Sequence, residues 1–156
     1  MRYLGAVVPL LVFIIGVGMA KGYTEELSSY NEKNFILHPY ELEVIDRVAS
    51  KYELSPEEKR LLLTIRKVEN GGPGREYGVL NPKAMRYKDD PIKSVETQAE
   101  WAAGTIKARY TGDLEAFAAR WAPIGAKNDP KCLNKNWVVN ASTWMNLLEG
   151  SGYGND

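Results

Sequence analysis

Glu69 is the residue whose type and setting point most directly to chemistry. It closes the apolar run Leu61-Leu-Leu-Thr-Ile-Arg-Lys-Val-Glu69 and is followed at once by Asn70, Gly71, Gly72, Pro73 and Gly74. At about 100° per residue, a helix carries Glu69 to within about 20° of Leu62 and about 40° of Ile65. Its carboxylate therefore leaves on the face that should meet the core. Burial disfavours a charged carboxylate, and the negative end of a helix dipole disfavours it again. A carboxyl kept protonated beside a glycine-opened cleft has what a general acid needs. The competing reading is a partly exposed glutamate in a last turn ahead of a glycine C-cap, so the rest of the chain must decide.

Other chemistries are poorly supplied. Cys132 and His38 are the single cysteine and the single histidine of 156 residues. An internal disulfide and a cysteine-rich metal site are excluded, and a transition-metal enzyme is disfavoured. Cys132 sits among Asn, Lys and Leu with no base beside it. No metal and no cofactor are expected. Lys and Arg number 20 against 20 Asp and Glu; the first twenty residues contribute only Arg2, which leaves 19 basic against 20 acidic residues, a net of −1. That balance, with no basic run carrying interleaved aromatics, gives no case for nucleic acid. There is no internal repeat, no nucleotide-binding glycine signature after a strand and no serine nucleophile elbow.

The elements that must position Glu69 are signposted. Residues 1–20 have the pattern of a targeting segment, with Arg2, an apolar run from Leu4 and small residues at Gly18 and Ala20. A cleaved signal is favoured over a retained anchor, because Pro9 and the glycines weaken a run of about 17 residues that is at the lower limit for a span. Either way the remainder is expected to be exported, to periplasm, envelope or medium, touching a membrane only through this segment. Residues 21–38 are polar without a period and are expected to form a linker or arm. Residues 39–150 are expected to form the functional domain and 151–156 a frayed tail.

Within that domain, Pro39 suits a first helical turn, and Leu42, Ile45, Val48, Ala49 and Tyr52 recur at helical spacing. Ser55-Pro-Glu-Glu58 is a capping-box pattern that opens the helix ending at Glu69. After the glycine break, residues 75–91 support no more than a short loop or hairpin. A third helix is expected from near Ser94, with Val95, Ala99, Ala102, Ile106 and Tyr110 as its stripe. Asp113 caps a fourth, with Leu114, Phe117, Ala118 and Trp121 inward. A turn-rich loop from Pro123 to Pro130 precedes a fifth, with Trp137, Val138, Ala141, Met145 and Leu148 inward. The fold class expected is mainly α, five helices around one core.

At Ile65-Arg-Lys-Val-Glu-Asn-Gly-Gly72 the sequence resembles the lysozyme-like superfamily, in its lytic transglycosylase and phage muramidase branch. There an acid glutamate closes a core helix, is followed by serine or asparagine, and faces a glycine-containing loop. Gly78-Val-Leu80 is similar to the Gly-Leu-Met after the acid, and Gln98-Ala-Glu-Trp-Ala-Ala-Gly-Thr-Ile106 to a helix beside the cleft. Phe117-Ala-Ala-Arg-Trp-Ala-Pro-Ile-Gly125 is similar to the helix end that lines the sugar site, with Trp121 at the aromatic position and Trp121-Ala122 in place of a Tyr-Asn pair. The match runs over about residues 55–148, with a shorter Glu-to-Gly spacing than in transglycosylases and no glutamine after Leu80.

The resemblance implies a lysozyme-like domain that cleaves peptidoglycan glycan strands and uses Glu69 as the acid; a monomer is expected. Asn70, Glu76, Tyr77, Gly78, Tyr110, Trp121 and Asn128 are the expected substrate-binding residues. Tyr110 and Trp121 also lie on core stripes, and packing is the favoured role for both. Glycosidases usually need a second carboxylate. Glu76, Asp89, Asp90 and Asp129 are available, but each is expected to be a solvated loop or turn residue. That absence mildly favours a transglycosylase, in which the substrate's 6-hydroxyl attacks. Two alternatives stay open: a catalytically silent peptidoglycan-binding module, and a membrane-tethered envelope interaction module.

Overall fold

The helix that ends on Glu69 lies at the centre of the domain. In the computed structural model, which describes residues 37–79 and 85–153, Leu61 through Ile65 are all buried, together with Arg66. A helix buried on every side needs neighbours all round, and it has them. Pro39–Lys51 forms α1, Pro56–Glu69 the central α2, Pro91–Arg109 α3, Leu114–Trp121 α4 and Trp137–Gly150 α5, which follows directly on a 3₁₀ turn at Leu133–Asn136. α2 packs against α1, α3 and α5, α1 against α3, and α4 against α5. The fold is mainly helical, with no strand among the described residues. The segment after Glu69 is accordingly a loop of turns over residues 70–79, and the hairpin alternative does not appear there. Expectations for the targeting segment 1–20, for the arm up to residue 36, for Leu80 and Pro82, and for the last three residues lie outside the described residues.

The helix starts follow their caps. Ser55 and Glu58 form the reciprocal capping box, with Glu58 N–H donating to Ser55 Oγ at 3.2 Å and Ser55 N–H to Glu58 Oε2 at 2.7 Å. Asp113 accepts from Ala116 N–H at 3.0 Å and opens α4. α3 begins a turn earlier than its apolar stripe: Asp90 accepts from Lys93 N–H at 3.1 Å, and Pro91 takes the first helical position. His38 is the N-cap residue of α1 and belongs to the helix entry rather than to a linker.

α3 buries Ser94, Val95, Gln98, Ala99, Ala102, Ala103 and Ile106. Its alanines let α1 come close, and Val44, Ile45, Val48 and Ala49 fill that side. The Arg47–Glu96 and Lys51–Glu100 ion pairs, 2.9 and 2.5 Å, rim the contact. Being exposed, they add little; apolar burial carries the packing. A deeper pair, Arg66 with Glu41 at 2.9 and 3.2 Å, ties α2 to the start of α1. None of the described helices is long and apolar enough to cross a membrane.

Candidate functional site

α2 stops at Glu69 because Asn70 takes the left-handed conformation, φ 42°, and caps the helix from outside it. The cap is thus asparagine, not the glycine that follows. Asn70 is exposed and outside the cleft lining, so its observed part is to end the helix rather than to meet a ligand.

Glu69 is half-buried, and its Oε1 accepts two indole N–H groups, from Trp121 at 2.9 Å and from Trp137 at 3.0 Å. Oε2 accepts none. It lies against Gly78, where a Cβ would overlap it; Gly78 also has φ 68°, so both space and backbone require glycine there. The indoles are set by Phe117, which is buried in α4. Its ring stacks on Trp121 at 5.7 Å, tilts against Trp137 at 6.2 Å and meets Tyr110 edge-on at 5.8 Å. Trp121 belongs to the end of α4 and Trp137 to the start of α5, so three helices converge on one carboxylate.

A cleft of about 380 Å³ opens over this carboxylate. Glu69 and Gly78 lie at its base, Trp101 and Thr105 come from α3, Arg120 and Trp121 from α4, Asn128 from the loop that follows and Asn134 from the 3₁₀ turn. Glu69 is the single carboxylate among these lining residues. Trp101 is 49% exposed, a large aromatic face turned to solvent at the cleft. Such a lining, one aromatic platform with amides, a hydroxyl and a guanidinium, suits a polar ring-shaped ligand with an anionic substituent.

The loop that presents Gly78 is clamped by α3. Gln98, fully buried, uses its whole amide: Oε1 accepts from Tyr77 and Val79 N–H at 3.3 and 3.2 Å, and Nε2 donates to the Gly74 and Val79 carbonyls at 3.0 and 2.9 Å. Ser94 Oγ donates to Glu76 Oε1 at 2.6 Å, and Gly74 N–H donates to Ser94 Oγ at 2.8 Å.

Of the expected ligand contacts, the structure brings Gly78, Trp121 and Asn128 to the cleft with Glu69. Glu76 and Tyr77 are corrections: both are buried, at 4% and 0% exposure, and serve the loop's attachment. Burial raises the Tyr77 phenol well above its usual range. Tyr110 is also off the cleft; its hydroxyl donates to Glu57 Oε1 at 2.6 Å, and burial together with that bond raises its pKa, keeping the phenol neutral. The spare carboxylates have local work. Asp90 caps α3, and Asp129 accepts Leu133 and Asn134 N–H at 2.7 and 3.1 Å, folding the loop back onto the start of the 3₁₀ turn. Asp89 is exposed and does not line the cleft.

Sequence reasoning missed Trp101, Thr105, Arg120, Asn134 and the indole edge of Trp137. Trp101 had a signal, a tryptophan at the polar position between Ala99 and Ala102. Trp137 had none beyond its place on an apolar stripe. In comparisons with known proteins, no family model, no curated protein and no solved structure matches this chain.

Proposed function

We propose that this chain is a lysozyme-like enzyme that cuts the glycan strands of peptidoglycan, with Glu69 as general acid. The observation that carries the proposal is the setting of Glu69: a lone carboxylate at the base of a cleft, anchored through one oxygen by two indole donors. Trp101 offers a face on which a sugar ring can stack, and Arg120 offers a charge-assisted partner for carboxylates borne by the glycan. Export through the 1–20 segment belongs to the same proposal, since the substrate lies outside the cytoplasm.

In this reading Glu69 gives its proton to the glycosidic oxygen as the bond to C1 breaks and an oxocarbenium-like centre forms. Among the described residues no second carboxylate lines the cleft to serve as nucleophile or to activate water. The substrate's own 6-hydroxyl then attacks C1, its proton returns to Glu69, and the product ends in a 1,6-anhydro ring. Transglycosylation is therefore preferred over hydrolysis.

The test is digestion of purified peptidoglycan by the wild type and by Glu69→Gln, with product masses. General acid catalysis is typically worth about 10²–10⁴, so release by the variant should fall at least about a hundredfold, and wild-type ends should be one water lighter than hydrolysed ends. Equal release by both proteins would remove Glu69 from the reaction. Glycan binding without release by either would leave a binding module.

A further inference from the structure

We infer that Trp121 and Trp137 are positioning residues that confine both proton transfers of the reaction to one atom, Oε2 of Glu69. An indole N–H can only donate. Both indoles point at Oε1, at 2.9 and 3.0 Å, so that oxygen is an acceptor twice over and cannot carry the acidic proton toward either partner. When Glu69 is protonated, the proton sits on Oε2. That oxygen accepts no hydrogen bond from the described residues and lies against Gly78 at the base of the cleft, where the missing side chain leaves it open.

The inference rests on the proposed role of Glu69 and adds a restriction to it. A free carboxyl can act with both oxygens, one giving a proton while the other accepts from a second group. Here Oε1 is closed to that use. The proton leaves Oε2 for the glycosidic oxygen as the bond from C1 to that oxygen breaks. The 6-hydroxyl oxygen then bonds to C1, and its proton returns to the same Oε2. The sealing of Oε1 also keeps a water from being activated there, which favours the intramolecular nucleophile over hydrolysis. Phe117, packed against both indole rings, keeps the two donors aimed together.

The experiment replaces each indole by a ring without a donor, in Trp121→Phe, Trp137→Phe and the double variant, all checked for folding by thermal melting. Turnover should fall by roughly tenfold or more with KM for the Trp137→Phe variant changed by less than about twofold. Hydrolysed, reducing ends should appear beside the anhydro ends once water can reach Oε1. Folded variants with wild-type turnover and product ratio would overturn the inference. A second measurement stands apart from activity. In the wild type, the two indole N–H NMR resonances that vanish in the Phe variants should both shift on Glu69→Ala, while those of Trp101 and Trp144 stay in place. Two resonances indifferent to Glu69→Ala would likewise overturn it. Absence of any glycan cleavage by the wild type would defeat the proposed function and the proton-transfer role with it, whereas cleavage with indifferent resonances would defeat the inference alone.

Discussion

Gly78 and Glu69 are matched by space rather than by a bond. The carboxylate oxygen that faces the cleft fills the volume a side chain at position 78 would need, and the backbone there has φ 68°. Gly78→Ala should therefore act twice. The left-handed backbone costs about 1–2 kcal/mol for a residue with a Cβ, and the methyl displaces the carboxyl. A misplacement of about 1 Å can cost about a hundredfold in rate. Thermal melting and glycan release measured together check this, and a variant of unaltered activity would show that Oε2 is not held against residue 78. The face that Glu69 takes was legible in the sequence, because Leu62 and Ile65 precede it at helical spacing. The loop beyond was not. Glu76 and Tyr77 look solvated because a polar, glycine-broken stretch has no period, and it is the buried Ser94 hydroxyl and Gln98 amide, far along the chain, that draw that stretch inward.

At the scale of elements, the starts of helices were the most readable features, since a cap is a local contact between a side chain and the next turn. The Ser55–Glu58 box also supplies a dependence on pH. Burial alone would raise the Glu58 carboxyl, but Ser55 N–H and the Lys107 ammonium, 3.3 Å away, outweigh it and hold it below its usual 4.5. A carboxylate lowered in the folded state contributes stability above the unfolded value, and that contribution is lost as pH falls through the folded one. Glu58→Ala should lower stability by about 1 kcal/mol near neutrality. Its deficit against the wild type should shrink as pH drops below about 4.3, as urea unfolding at several pH values would record. A deficit constant down to pH 3 would contradict the assignment. The loop over residues 122–136 was legible only as a loop. Its shape is set by Asp129 reaching forward to two backbone N–H groups and by Asn134 Nδ2 donating back to the Pro123 carbonyl at 3.0 Å. Neither contact has a sequence period to announce it.

Across the whole molecule, an amphipathic reading places five helices but gives α1 the wrong inner edge. Leu42 and Tyr52 are only half-buried, while Glu41 is 5% exposed because Arg66 meets it from α2. An ion pair between two helices is invisible to hydrophobic periodicity, yet it joins the first helix to the central one. Glu41→Ala leaves a buried guanidinium uncompensated and should cost about 3–5 kcal/mol, whereas the joint replacement Glu41→Leu with Arg66→Met should cost far less. Denaturant midpoints of the single and double variants measure the difference; equal losses in both would show that packing volume, not charge, governs the contact.

The aromatic arrangement has an optical meaning as well. The chain has four tryptophans. Trp101 and Trp121 line the cleft, and Trp137 shares the Glu69 oxygen with Trp121. Only Trp144 is engaged elsewhere, beneath the Lys67 ammonium at 4.9 Å. Three of the four emitters thus surround one carboxylate, so the protein's own fluorescence is weighted toward its cleft. Occupancy there becomes readable in light emitted by the unlabelled chain.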